Sequence, residues 1–245
     1  MKSMIVTGGG RGIGAAISKL AARNGFAVAV NYARDEVSAQ DVVSAIKAGG
    51  GQAVAIQADV SKSEDAARLF EMVDAEFGSV DVLINNAGIV GGVVPIEEME
   101  ADFLLMVFST NVFSAFLCCR EAIARMSKQE SGGVIVNMSS AAARHGGMPG
   151  EAHYASSKGA LDSLTLALAK EVAGRNIRVN ALRPGVIDTP LHEIHGGAEL
   201  IASVAKAIPL GRAGTPKEVA EAVLWLATGA SSYVHGALID IGGGR

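Results

Sequence analysis

The chain has little cysteine. Its 245 residues include only Cys118 and Cys119, which are neighbours in the sequence. Adjacent cysteines fit neither a disulfide framework nor a zinc site built on Cys-x-x-Cys spacing. We therefore interpret both as packing residues or unreactive thiols.

An excess of basic charge and long apolar runs are also lacking. The formal net charge is −4, so the surface has no basic field of the kind that nucleic-acid binding requires. No apolar run reaches the roughly 18 residues of a membrane-spanning helix, and the N-terminus shows no signal-peptide pattern. We expect a cytoplasmic protein that binds neither nucleic acid nor a membrane.

Histidine and glutamate come close together once, at His192, Glu193 and His195. A catalytic zinc normally has three protein ligands in a defined geometry. Two histidines three residues apart in a predicted loop are a weak signal of such a site, and we predict no metal.

What the chain does contain is a regular alternation of short β-branched runs and longer helical patterns. The predicted strands are 4–7, 27–31, 53–58, 80–85, 134–138, 178–183 and 237–241. The predicted helices are 13–24, 37–48, 63–77, 101–127 with a break near Thr110, 153–173 and 216–228. Nearly continuous apolar strands are typical of a parallel sheet that helices cover on both faces. We predict one α/β domain over 1–245, a Rossmann-like doubly wound parallel sheet of seven strands.

Two stretches around the predicted helices stand out. Pro216 after Thr215 indicates a capped first turn, and Gly25 and Gly174 follow helix ends where a left-handed residue is common. The segment 188–215 fits no regular element, and a long loop in a compact domain is often a lid.

A glycine-rich turn lies between the first predicted strand and helix. Its spacing is Gly8-x-x-x-Gly12-x-Gly14, which differs from the G-x-G-x-x-G pattern and by itself also fits a tight strand-to-helix turn. Backbone N–H groups and the positive helix end can face a pyrophosphate there. We predict nucleotide binding by Gly8, Gly10, Arg11, Gly12, Ile13 and Gly14.

The end of the second predicted strand bears on the choice of nucleotide. NAD-binding folds place an acidic residue there, whereas this chain has Asn31-Tyr32. Arg11 and Arg34 could bind a 2′-phosphate, because guanidinium matches phosphate in geometry and charge. The two acidic residues after Arg34 weigh against this, and both arginines could simply cover solvated surface. NADP(H) is favoured, with NAD(H) as the alternative.

Tyr154 and Lys158 stand four residues apart on a predicted helix, and the pair Ser139-Ser140 precedes them in the sequence. Positions i and i+4 share a helix face, so the ammonium can sit near the phenol. A nearby positive charge lowers the pKa of a tyrosine from about 10 and makes it a plausible general acid or base. Taken singly, these residues also fit a packing tyrosine, a solvated lysine and a capping serine.

Together these motifs resemble the short-chain dehydrogenase/reductase family from the first strand to the last. They are Thr7-Gly8-x-x-x-Gly12-x-Gly14, Asp59-Val60, Asn85-Asn86-Ala87-Gly88, Asn111, Ser140, Tyr154-x-x-x-Lys158 and Pro184-Gly185-Val186-Ile187-x-Thr189. The resemblance is nearest to bacterial sugar dehydrogenases, of the glucose dehydrogenase kind, and β-ketoacyl carrier-protein reductases. It implies hydride transfer between a nicotinamide and a carbonyl or alcohol substrate.

The resemblance also implies a role for each motif. Asp59 and Val60 are expected at the adenine. Further cofactor contacts are expected at Asn31, Tyr32, Arg34, Asn86, Ala87, Gly88, Tyr154, Lys158, Pro184, Gly185, Ile187 and Thr189. Ser140 would hydrogen-bond the substrate oxygen, Tyr154 would deliver the proton, Lys158 would lower the tyrosine pKa and bind the nicotinamide ribose, and Asn111 would hold a water relay. The stretch from Ser140 to Tyr154 is one residue longer than the commonest family spacing, which leaves Ser139 and Ser140 both open.

Further expectations concern the substrate contacts, the oligomeric state and the alternative functions. Candidate substrate contacts are Ala142, Arg144, His145, 90–93 and 191–208. The resemblance implies a homotetramer or homodimer paired through 101–127, 153–173 and the last strand. The alternatives are an NAD-linked sugar or alcohol dehydrogenase of the same family and, in a different class, a dinucleotide sensor without catalysis.

Overall fold

The computed structural model describes residues 1–189, 203 and 205–245. Its sheet has seven strands in the order β3-β2-β1-β4-β5-β6-β7, and all pairs are parallel. The strands are β1 (Ser3–Val6), β2 (Ala27–Tyr32), β3 (Ala53–Gln57), β4 (Val82–Asn85), β5 (Gly133–Met138), β6 (Ile177–Pro184) and β7 (Leu238–Ile241). The order reverses between β1 and β4, and the carboxyl ends of these two strands open the crevice where doubly wound sheets bind ligands.

Helices cover both faces of the sheet. They are α1 (Gly12–Arg23), α2 (Glu36–Ala48), α3 (Ser63–Phe77), α4 (Ala101–Phe108), α5 (Ser114–Met126), α6 (Ala142–His145), α7 (Ala152–Val172) and α8 (Pro216–Ala227). A core that includes Ile17 of α1, Val42 of α2 and Val223 of α8 fills one side. A core that includes Phe70 of α3, Cys118 of α5 and Val172 of α7 fills the other. The predicted fold class is confirmed.

The predicted boundaries differ from the observed ones mainly at β4 and within the long helix. The strand expected from residue 80 begins at Val82, because the Asp81 carboxylate turns to accept the Ser3 N–H at 2.8 Å. The break expected near Thr110 is a π-helix, Ser109–Phe113, which joins α4 to α5 without ending the helix.

The turn signals have a mixed outcome. The Thr215 hydroxyl and the Glu218 carboxylate form a reciprocal capping box at the start of α8, with Pro216 in the first turn, as predicted. Gly25 has a φ of +83°. The expectation for Gly174 is wrong, because the left-handed residue after α7 is Asn176, with a φ of 55°.

Two sequence expectations concern the cysteines and the lid. Cys118 and Cys119 are both buried, and burial raises the pKa of the Cys119 thiol to about 12. This agrees with unreactive packing thiols. Half of the expected lid 188–215, including His192, Glu193 and His195, lies outside the described residues.

The helical stretch Ala101–Met126 is long and apolar enough to cross a membrane by length and composition alone. This stretch contains charged and polar residues, so it is not the unbroken apolar run that the sequence analysis considered. Its inner side carries Cys118, Ala122 and Met126 in the core beside α3, as in a core helix of a globular fold. Its outer side leaves large apolar side chains exposed, at Leu105, Met106, Phe113 and Phe116.

Candidate active site

The glycine turn connects β1 to α1 with very little space around it. Gly8 has a φ of +62°, a region that side chains rarely adopt. A Cβ added at Gly14 would lie 2.3 Å from the Gly8 carbonyl oxygen and 2.6 Å from the Asn86 amide nitrogen. The backbone of the turn is therefore packed as closely as only glycine permits.

The beginning of α1 is left open to an anion. Among the described residues, no side chain caps its first turn, and that turn contains no acidic residue. The first N–H groups of a helix have no partner within the helix and carry partial positive charge. The turn and the helix end together fit a phosphate group.

Two asparagines hold this turn from opposite sides. The side-chain oxygen of Asn31 accepts the Gly8 N–H at 3.3 Å, and the side-chain amide nitrogen donates to the Ala58 carbonyl at 3.0 Å. The Asn86 amide donates to the Thr7 carbonyl at 2.9 Å and to the Gly8 carbonyl at 3.2 Å. Both side chains, expected at the cofactor, bind the backbone beneath it.

Of the two arginines expected at the 2′-position, Arg11 already has a partner. The Arg11 guanidinium lies 3.5 Å from the Asp35 carboxylate and is largely exposed. Hydrogen bonds from Ser38, and then the charge of Arg11, hold the Asp35 pKa below its usual value although desolvation opposes them. The Tyr32 phenol hydrogen-bonds the Glu36 carboxylate, and Arg34 is exposed. Asp35 would compete with a phosphate for Arg11.

The residues expected at the adenine, after β3, and those after β6 lie on either side of this turn. Asp59 accepts hydrogen bonds from the Ser61 hydroxyl and N–H at 2.6 and 3.2 Å, and Val60 beside it is buried. Ile187 forms an isolated parallel bridge with Gly214. The Thr189 side chain approaches within 3.5 Å of a Cβ placed at Gly12. The segment after β6 therefore reaches back to the first turn.

A cavity of about 160 Å³ opens at the carboxyl ends of β4, β5 and β6. It is lined by Ile13, Asn86, Gly88, Val90, Met138, Ser139, Ser140, Ala141, Ala142, His145, Gly147, Met148, Glu151, Tyr154, Lys158, Pro184, Gly185, Val186, Ile187, Thr189 and Arg245. Most of the predicted catalytic and nicotinamide residues thus share one cavity.

The two serines have different surroundings within it. Ser139 is buried, and its hydroxyl donates to the Lys158 backbone carbonyl at 3.0 Å. The Ser140 hydroxyl is close enough to Tyr154 to lower its pKa, and it accepts the Ala142 N–H at 3.1 Å. Of the pair, Ser140 is the serine whose hydroxyl meets the tyrosine.

Tyr154 and Lys158 do not adjust each other's pKa as the sequence predicts. Burial raises the pKa of Tyr154 to about 12, against a smaller lowering by its hydrogen bond with Ser140. Burial lowers the pKa of Lys158 to about 8. The Lys158 amine donates to the Met138 carbonyl at 2.8 Å and lies 5.7 Å from the tyrosine ring centroid. The expectation that Lys158 lowers the Tyr154 pKa is wrong for the protein alone, because desolvation is the largest cause of both shifts.

The π-helix places Asn111 beside Lys158. A Cβ at Gly88 would lie 3.3 Å from both the Asn111 carbonyl oxygen and the Lys158 amine. The Asn111 amide donates to the Ile89 carbonyl at 2.8 Å and to the Ser157 hydroxyl at 3.0 Å, and its oxygen accepts the Ile89 N–H at 2.8 Å. Asn111 thereby fastens the segment after β4 to α7. π-Bulges within α-helices frequently occur at functional sites.

Sequence reasoning missed several cavity residues. Glu151 and His153, which precede Tyr154 in the sequence, are both buried. Glu151 lines the cavity and accepts the Met148 N–H at 2.8 Å. His153 contacts the Val90 carbonyl at 2.9 Å. Helical spacing could have placed Glu151, three residues before Tyr154, on the cavity side.

The expected substrate contacts are partly brought together. Val90, Ala142 and His145 line the cavity, whereas Arg144 pairs with Asp240 at 3.4 Å. Arg144 also donates to the Arg245 carbonyl at 2.6 Å and so fixes Arg245 at the cavity. No local pattern points to a contact between residues 101 positions apart.

Comparison with known proteins agrees with this geometry. A family model described as Enoyl-(Acyl carrier protein) reductase matches residues 8–245. The chain is 44% identical over its whole length, and that of the relative, to the uncharacterized oxidoreductase YgfF of Escherichia coli K12. It is 39% identical to 3beta-hydroxysteroid dehydrogenase 1 of Eggerthella lenta, over 99% of this chain and 93% of that protein. It is 38% identical to the 3-oxoacyl-[acyl-carrier-protein] reductase FabG of Staphylococcus aureus, over 99% of this chain and 97% of that protein.

Solved structures give the same result. A Serratia marcescens short-chain dehydrogenase/reductase, solved as a double mutant, matches with a TM-score of 0.92 and 36% identity. The match covers 99% of this chain and 97% of the other. At this identity the likeness extends beyond the fold.

Proposed function

The chain belongs to the short-chain dehydrogenase/reductase family and is an oxidoreductase of that type, and we propose that it interconverts a carbonyl and a secondary alcohol with NADP(H) in preference to NAD(H). The observation that carries this proposal is that Ser140 and Tyr154 line one cavity together with Gly88 and Ile187, with Ser140 close enough to Tyr154 to lower its pKa. Two hydroxyls in one cavity fit a substrate oxygen that gains negative charge.

Tyr154 acts as the acid in the direction of carbonyl reduction. With a pKa raised to about 12, its phenol keeps its proton at neutral pH and can donate it to the developing alkoxide, which is a much stronger base. Ser140 donates a second hydrogen bond to the same oxygen. Carbonyl reduction is therefore the direction for which the isolated protein is prepared.

Lys158 and Asn111 support this proton transfer from behind the tyrosine. The Lys158 amine, held by the Met138 carbonyl, would also bind the nicotinamide ribose. Asn111 stands beside that amine and would hold a water that supplies protons to it. We assign Asn111, Ser140, Tyr154 and Lys158 as the catalytic residues.

The nucleotide assignments follow from the fit of the first turn to a phosphate. Residues 8–14 would hold the diphosphate, Asp59 and Val60 the adenine, and Ile187 and Thr189 the carboxamide. NADP(H), when bound, supplies or accepts the hydride. Arg11 and Arg34 would bind the 2′-phosphate. The ion pair of Arg11 with Asp35 is the observation that keeps NAD(H) as the second candidate.

We also propose substrate classes, an oligomeric state and a cellular location. The names of the relatives direct a substrate screen towards 3-oxoacyl thioesters and 3-oxosteroids, with sugars as the NAD-linked alternative. The exposed apolar side chains of α4 and α5 would pack against a second copy in a homodimer or homotetramer. We place the protein in the cytoplasm, away from nucleic acid and membranes.

Fluorescence titration with NADPH and NADH at fixed salt tests the coenzyme assignment. We expect NADPH to bind at least about tenfold more tightly, which corresponds to about 1.4 kcal/mol, and Arg11→Ala to remove most of that preference. Arg23→Ala is the matched control, since Arg23 is exposed at the other end of α1. Equal or tighter binding of NADH by the wild type would favour NAD-linked oxidation instead.

A further inference from the structure

Lys158 is the first member of a series of alternating charges that leads away from the cavity. Asp162 follows one turn later on α7, and its Oδ2 accepts hydrogen bonds from Arg183 Nε at 3.0 Å and Nη2 at 2.8 Å. Arg183 lies 3.9 Å from the Asp240 carboxylate, which pairs in turn with Arg144. These pairs link α7 to β6, β7 and α6.

The Asp162–Arg183 pair is more buried than an ordinary surface ion pair. Their side chains are 10% and 17% exposed. The Asp162 Oδ1 atom is buried and has no hydrogen-bond partner among the described residues. A buried carboxylate that uses only one oxygen is costly to keep ionised, and two hydrogen bonds from a guanidinium offset part of that cost. A buried ion pair of this kind contributes little to the free energy of folding. Its importance therefore depends on the charged neighbour of the carboxylate.

That neighbour is Lys158, at position i−4 on the same helix face. Within residues 1–189 and 205–245, the other groups seen near the amine are uncharged: the Met138 carbonyl from β5, the Tyr154 ring from α7 and the Asn111 amide from the π-helix. Burial lowers the pKa of Lys158, and the charge of Asp162 raises it in opposition. Asp162 is therefore the countercharge of an ammonium that has lost its water.

We propose that Asp162, held in place by Arg183, is a positioning residue that holds Lys158 in its charged form while the enzyme works. The inference rests on the catalytic role proposed for Lys158. It assigns Asp162 and Arg183 no contact with substrate or cofactor. Without the carboxylate, Lys158 loses its proton at lower pH, and with it the charge that assists Tyr154.

The titration of Lys158 can be measured without any turnover. The protein has nine lysines, and in cofactor-free protein carrying [ε-¹³C]lysine the signal that disappears in Lys158→Arg identifies residue 158. In Asp162→Asn we expect its pKa to fall by about one unit or more, the usual effect of losing an adjacent opposite charge. Asp162→Glu should return the pKa towards the wild-type value.

Matched variants separate this effect from general disturbance. Asp81→Asn removes a part-buried structural carboxylate that binds Ser3, and it should leave the Lys158 titration unchanged. Arg183→Gln should lower the Lys158 pKa in the same direction, because Asp162 loses the two hydrogen bonds that hold it in place. This variant carries the test if Asp162→Asn does not fold. A folded Asp162→Asn protein whose Lys158 pKa equals that of the wild type would overturn the inference.

The pH dependence of enzyme activity tests the role of Asp162 independently. In a carbonyl-reduction assay, the alkaline limb of the pH profile of kcat should move to lower pH in Asp162→Asn by the same shift as the Lys158 titration. An unmoved limb would overturn the inference. Absence of turnover by the wild type on every carbonyl would instead count against the proposed function, and the titration would still decide the role of Asp162.

Discussion

Replacing Gly14 with alanine tests whether the first turn binds the nucleotide. The new Cβ would lie 2.3 Å from the Gly8 carbonyl oxygen, so the backbone has to move by about 1 Å to regain an ordinary contact distance of 3.4 Å or more. Neither of the atoms that it meets can easily yield. One belongs to the backbone of the turn, and the other is the Asn86 amide, which is bonded to Thr7 and Gly8.

The magnitude follows from two opposing effects. Overpacking of this kind costs about 1–3 kcal/mol, whereas alanine gains up to about 1 kcal/mol over glycine in a helix. The clash should win, giving a net loss of about 0.5–2 kcal/mol and a decrease in Tm of a few degrees, since 1 kcal/mol corresponds to about 2–4 °C in a chain of this size. The shifted turn should weaken NADPH binding at least about tenfold, or about 1.4 kcal/mol.

Fluorescence titration with NADPH and thermal unfolding measure the two effects on the same samples. Gly174→Ala is the matched control, because Gly174 is exposed and a Cβ there meets nothing within 4 Å. It should keep both the Kd and the Tm. A folded Gly14→Ala protein that binds NADPH as tightly as the wild type would refute the assignment of this turn to the nucleotide.

Two further predictions concern the serine pair and the start of α8. Ser140→Ala should lower kcat by about 10²-fold, a typical loss for one donor to a developing oxyanion, and should leave NADPH binding unchanged. Ser139→Ala should mainly lower the Tm. If steady-state kinetics show the larger loss of kcat in Ser139→Ala, Ser139 and not Ser140 is the catalytic serine. Hydrogen bonds from Arg212 and Thr215 lower the pKa of Glu218 to about 2 from an ordinary value of 4.5, so its stabilising effect is present above pH 4.5 and is lost as the pH falls towards 2. Urea unfolding should therefore show a smaller loss of stability between pH 5 and about 3 in Glu218→Gln than in the wild type, and parallel losses would argue against the capping box.

Features that depend on local pattern could be predicted from the sequence. The buried strands are almost continuously apolar because helices cover both faces, and this pattern indicated the sheet and its parallel class. Thr215, Pro216 and Glu218 lie within one turn, so the capping box is a local signal. The break near Thr110 was also visible, although its form as a π-helix depends on the bonds of Asn111 with Ile89 and Ser157.

The remaining features depend on residues far apart in the chain. Asn31 supports the first turn through Ala58, 27 residues later, and the Asp162–Arg183 pair joins α7 to β6. The pKa of Tyr154 is raised, against expectation, because burial, which no spacing encodes, is the largest influence on it. Residue identity thus indicated the chemistry of the cavity, and the tertiary fold determined its electrostatics.

Deuteride transfer tests most directly the claim that the Tyr154 cavity performs carbonyl reduction. With NADPH carrying deuterium at the transferred position and a panel of 3-oxoacyl thioesters and 3-oxosteroids, mass spectrometry should find one deuterium in the alcohol product of the wild type. Tyr154→Phe should bind NADPH with the same Kd and form product at least about 10²-fold more slowly, the usual contribution of a general acid. Product formation by Tyr154→Phe at the wild-type rate would contradict the account. So would a wild type that binds NADPH yet labels no carbonyl, which is the behaviour of a dinucleotide sensor.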